Sequence, residues 1–215
     1  MTVLDRIILF VTGLVALYLV WRFYTRYQRE KKLYDIYYTM GFLVLLVSGM
    51  LLFALGWEIL ASPYVLTVAS LIPLGISMGI MNQYYPEYKK AYSWFALICI
   101  LAIAATSISG SDLKKFAVPI FHGIAGLIIF LGPIKAQMDG KAPKGFWWVG
   151  VGGALIGIGG IALAFLAAGS QLLFFSQGVV LMILAPLLLL MSLAFAWGFM
   201  KDIQATKEET TPTAE

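Results

Sequence analysis

The chain has 215 residues, 61% of them hydrophobic and only 12% charged, with a net charge of +4 and a mean hydropathy of +0.89. Soluble domains carry about 25% charged residues, so this composition excludes an ordinary water-soluble globule and points to an all-α integral membrane protein. A single Cys excludes an internal disulfide framework or multi-cysteine metal site, and a single His narrows haem and zinc chemistry.

Seven apolar segments follow in chain order, at about residues 6–24, 36–61, 64–81, 92–108, 116–134, 146–168 and 172–199. Each is near the ~20 residues that cross about 30 Å of hydrocarbon. Backbone polar groups in lipid must be satisfied within the segment, so the spacing predicts a seven-helix bundle within residues 1–200. The polar stretch at 201–215, ending KEETTPTAE, reads as a disordered cytoplasmic tail.

The basic residues set the expected orientation. With the N-terminus outside, Arg22, Arg26, Arg29, Lys31, Lys32, Lys89, Lys90, Lys135, Lys141, Lys144, Lys201 and Lys207 fall on the cytoplasmic side. Only Arg6, Lys114 and Lys115 then lie outside, so the chain reads as a multi-pass cell-membrane protein, N-out and C-in. The basic flank follows the first apolar run, and no small-residue cleavage site succeeds it, so that run reads as an uncleaved anchor. Trp21, Tyr24, Tyr34, Tyr84, Trp94, Trp147, Trp148 and Trp197 gather near the same inner face, where amphipathic rings prefer the headgroup level. The net positive charge thus marks membrane flanks, and no nucleic-acid partner is implied. The NQYYPEY turn is aromatic enough to cage a cation, although interfacial anchoring explains it as well.

Two sets of three segments carry a faint internal repeat. Gly13 and Arg22 match Gly126 and Lys135; Gly41, Phe42, Gly49 and Gly56 match Gly145, Phe146, Gly153 and Gly160; Pro73 matches Pro186. This gives a 3+1+3 plan of parallel units joined by the fourth segment, as in some transporters. The plan is similar to that of SWEET-type sugar transporters in helix order only, since their Pro-Gln motif is absent. Pro73 and Pro186 fall near the middles of their segments, where a lost backbone donor makes them candidate hinges.

The sixth segment contains GVGGALIGIGG, whose GIGGIA portion matches a G-x-G-x-x-A dinucleotide loop. That motif needs a strand before it, a helix start, and an acidic residue about twenty positions later. Here it sits in an uncharged run from Phe146 to Ala168. Helical spacing instead puts Gly150, Gly153, Gly157, Gly160 and Ala164 on one stripe of small residues. Close backbone approach replaces the missing hydrophobic drive between helices in lipid, so the stripe predicts a packing surface, within the chain or against another subunit or a second copy.

Few ionisable residues fall at membrane depth, where each is costly and usually functional. His122, Glu58 and Asp112 form the candidate polar site, all near the outer side. His122 reads as a neutral imidazole bonded to backbone or hydroxyl, as a proton or substrate contact with Glu58, or as a metal or haem ligand. Cys99, mid-helix with no basic partner, reads as an inert apolar residue. No triad, Walker loop or zincin motif occurs, and no cofactor or metal is predicted. Three functions stay open. The first is a non-catalytic subunit or scaffold of a membrane assembly; the second is a transporter or pore for a small neutral or weakly polar solute. The third is a cofactor protein using His122.

Overall fold

The computed structural model describes residues 1–167 and 176–210, and these are helical with no strand among them. The helices are α1 (Val3–Glu30), α2 (Leu33–Leu55), α3 (Pro63–Ala69), α4 (Leu71–Tyr84), α5 (Lys89–Ile108), α6 (Lys114–Met138), α7 (Trp147–Ala167) and α8 (Gln177–Thr210). A 3-10 turn, Trp57–Ala61, joins α2 to α3. Six helices are long and apolar enough to cross a membrane, counting α3 with α4 as one, and the apolar stretch Trp147–Gly160 is shorter. The protein is therefore a helical, multi-pass membrane protein by length and composition.

Local chemistry explains the helix ends. Thr2 and Asp5 form a reciprocal capping box: the Thr2 amide donates to Asp5 at 2.7 Å and the Asp5 amide to the Thr2 hydroxyl at 3.1 Å. Two N–H groups that the first turn leaves without helical partners are thereby satisfied. Lys31, left-handed at φ 55°, closes α1, and only Lys31 and Lys32 separate it from α2. At the other end of α2, Gly56 takes φ 78° and Arg6 donates to the carbonyls of Phe53 and Ala54. The apolar run read as 36–61 is thus broken at Gly56.

The third predicted segment is also broken, at Ser70 between α3 and α4, and Pro73 lies in the first turn of α4. A proline costs little there, because that turn's amides lack helical partners in any case. The Ser77 hydroxyl donates back to the Pro73 carbonyl. Pro186 lies inside α8 with its ring exposed. The chain from 201 to Thr210 continues α8, where a disordered tail was expected; residues 211–215 lie outside the described residues.

Contacts between helices run in a closed circuit: α1 on α2, α2 on α4, α4 on α6, α6 on α7, α7 on α8, and α8 back on α1. α5 packs on α3, α4 and α6. Aromatic rings fill the interior. Phe23, Phe42, Phe146, Phe195 and Phe199 are fully buried, with Phe199 edge-on to Phe23 at 5.0 Å, to Phe42 at 5.7 Å and to Phe146 at 5.8 Å. Edge-to-face pairs at this spacing add about 0.5–1.5 kcal/mol beyond the burial of their area.

Glycines set the closest approaches. A Cβ at Gly75 would lie 2.5 Å from the Tyr37 carbonyl and 2.8 Å from the Gly41 Cα, so α2 and α4 touch backbone to backbone there. In α7, a Cβ at Gly150 would lie 2.5 Å from the Phe130 carbonyl, and one at Gly153 would lie 2.9 Å from the Ile129 carbonyl. Pro133 supplies no N–H to that Ile129 carbonyl, and Gly153 lets α7 close over it. The predicted stripe is therefore divided: Gly150 and Gly153 pack on α6, whereas Gly157 and Gly160 meet no atom within 4 Å among the described residues. The side chain of Ala164 lies outside them.

Candidate functional site

The residues singled out from the sequence sit on separate elements. His122, half-buried in α6, pairs its Nδ1 with the Val118 carbonyl one turn back, at 3.0 Å. Glu58 is exposed on the 3-10 turn after α2, and Asp112 is exposed between α5 and α6. Among the described residues, no hydrogen bond or ion pair joins His122 to Glu58, and no three His, Cys, Asp or Glu side chains group as a metal site.

A different polar cluster lies at the basic end of the bundle, and it is built from helix ends. Arg26 stands in the penultimate turn of α1 and is fully buried. The two-residue link folds α2 back beside it, placing Asp35 in the first turn of α2, where a carboxylate also favours the helix dipole. Asp202 comes from α8. Arg26 Nε donates to Asp35 Oδ1 at 2.7 Å, and Arg26 Nη1 donates to Asp202 Oδ2 at 2.6 Å. The guanidinium also lies 5.4 Å from the Phe23 ring centroid and 5.2 Å from that of Tyr34.

α4 completes the cluster. Gln83 Nε2 donates to both Asp202 oxygens, at 3.0 and 3.1 Å, and the Tyr84 hydroxyl donates to Oδ1. The Tyr38 hydroxyl donates to Gln83 Oε1 at 3.0 Å. One chain of polar contacts therefore ties α1, α2, α4 and α8 together. Its chemistry is that of a clamp. A carboxylate has about four acceptor positions, and Asp202 receives four hydrogen bonds, which leaves it no vacant lone pair for a substrate proton. The Arg26 Nη2 and Asp35 Oδ2 atoms are buried without a hydrogen bond of good geometry, though Nη2 lies 2.6 Å from Asp35 Oδ1. One arginine faces two aspartates, so the cluster carries one negative charge in excess.

Beside the clamp, a cleft of about 550 Å³ opens at the same end, lined by Tyr34, Gln83, Tyr84, Glu87, Lys141 and Asp202 among others. Part of the NQYYPEY turn thus does line a recess. Tyr85 of that turn points elsewhere: its hydroxyl donates to the Gly132 carbonyl at 2.7 Å, and partial burial raises its pKa.

Sequence reasoning missed the clamp because Arg26 counted there only as one of the flanking positive charges. Two signals were present. Asp35 stands alone among aromatic and apolar neighbours in LYDIYY, and Asp202 follows the last apolar run by three positions. Compared with known proteins, the chain matches no protein-family model, no curated protein and no solved structure.

Proposed function

We propose that this protein is a rigid, non-catalytic subunit of a membrane assembly, a seven-span bundle with its N-terminus outside and its basic end cytoplasmic. The observation that carries this reading is the filled interior. Phe23, Phe42, Phe146, Phe195 and Phe199 occupy the centre of the helix circuit, and the adjoining clamp joins four of its helices. Arg26, Asp35, Asp202, Gln83 and Tyr84 bond chiefly to one another, as suits a part that must hold its shape. Among the described residues, glycine-mediated contacts of α7 with α6 use Gly150 and Gly153, and Gly157 and Gly160 are left for a neighbouring subunit or a second copy.

The repeat belongs to the same reading. The outer helices of the two proposed units meet at both seams, α4 on α6 and α8 on α1, as two parallel units around one axis would. Two of the four matched glycine pairs face matching helices, whereas Gly13 meets Met50 and Leu46 of α2 and its counterpart Gly126 meets nothing within 4 Å among the described residues. Gly49 lies nearest α1 and Gly153 nearest α6; Gly41 meets α4, and Gly145 meets Lys201 of α8.

The second reading, a carrier of a small weakly polar solute, is favoured by the cleft. Against it, the cleft is lined by the clamp, and neither Pro73 nor Pro186 lines it. The test is the mass of the particle extracted from its native membrane directly into nanodiscs. A subunit runs in a complex heavier than one 23.7 kDa chain with its lipid. A monodisperse single chain that takes up small solutes in liposomes would replace this reading with the carrier.

A further inference from the structure

We propose that the seam between α7 and α8 is a binding site for an anionic phospholipid, with one acyl chain in an apolar groove and the headgroup at Lys144 and Lys201. The groove, about 320 Å³, is lined by Trp148, Val151, Leu155, Leu190, Leu193, Ala194 and Trp197. Its lining is wholly apolar, and it lies on the surface of a helix pair expected to face lipid.

Charge chooses the occupant. Trp148 and Trp197 stand at one end of the groove, where indole rings favour the headgroup level. One turn beyond Trp197, the Lys201 stem lies across Gly145, and its ammonium is held 5.3 Å from the Trp197 ring centroid. Lys144, exposed, adjoins that glycine. Neither lysine makes an ion pair among the described residues. Asp202, next to Lys201 in the chain, points inward to Arg26 and is committed there. Two uncompensated cations thus sit above an acyl-sized groove. Within a bilayer, an acyl chain gains little from the groove itself, because lipid tails are as apolar as its walls. Selectivity therefore comes from the headgroup, and an anion meets charges that a zwitterion's own ammonium would oppose.

The full-length protein in phosphatidylcholine vesicles, doped with dibrominated phosphatidylglycerol or dibrominated phosphatidylcholine, reports this through tryptophan quenching. Wild type is expected to be quenched more by the anionic lipid. Lys144→Gln and Lys201→Gln should each lower the relative affinity about fivefold, the effect of one basic residue at an anionic surface. Lys201→Arg keeps the preference, and Trp148→Phe with Trp197→Phe lowers the differential signal, leaving Trp147, stacked on Trp148, as the remaining reporter near the groove. Lys144 is exposed, so Lys144→Gln should leave the fold intact. Equal quenching by the two lipids in wild type would overturn the proposal. So would an unchanged preference in the double glutamine variant, or an equal loss from Lys89→Gln with Lys90→Gln, which would mark diffuse surface charge.

Discussion

Arg26 is the residue on which the basic end depends. Its guanidinium is buried against Asp35 and Asp202, and its removal leaves two carboxylates side by side without a cation. Breaking a buried pair from one side costs about 3–5 kcal/mol, on the order of 10 °C in Tm for a chain of this size. Arg26→Met should therefore lower the melting temperature in detergent by about that amount. Asp35→Asn should cost much less, because it removes the excess negative charge and keeps an acceptor for Arg26. Combining Arg26→Met with Asp35→Asn and Asp202→Asn should recover most of the loss. If Arg26→Met melts with wild type, the clamp contributes nothing to the fold. The pairing itself was not legible from sequence, because Arg26 and Asp202 are 176 positions apart and each sits in a flank where charges usually face water.

At the scale of the helix, the apolar runs fall on helices, six of them long and apolar enough to cross a membrane, but the ends of the runs and of the helices differ. α1 reaches Glu30 and α8 reaches Thr210, beyond the apolar runs, since helix propensity and packing carry on where hydropathy stops. α2 stops early, because Gly56 adopts a left-handed conformation inside an unbroken apolar run. The glycines of α7 lie within a helix, where a dinucleotide loop would need a strand-to-helix turn. Which of them pack within the chain needed coordinates, because that depends on where α6 exposes its carbonyls. Gly150→Ala and Gly75→Ala drive a methyl group into backbone oxygen and should each destabilise by about 1–3 kcal/mol. Gly157→Ala meets no atom within 4 Å among the described residues and should not lower thermal stability, since Ala favours the helix. Equal melting temperatures for all three would contradict the close approaches.

For the whole molecule, the proposed role requires rigidity: a closed circuit of helices around aromatic rings, clamped at one end, should hold a single arrangement. A carrier would alternate between at least two, by rocking one unit against the other. The membrane class was plain from composition, whereas the circuit was not, because no single-sequence pattern says which helix faces which. Paired spin labels can separate the two kinds of molecule, since the chain has a single native cysteine, Cys99, to remove. Labels at Lys32→Cys and Lys141→Cys, both at exposed positions of the basic end, put one reporter beside the clamp and the other on the cleft rim. Double electron–electron resonance in nanodiscs should give one narrow distance distribution, unchanged by pH, lipid composition or added solutes. Two resolved distances that exchange population when a solute is added would contradict the rigid subunit and establish a moving carrier.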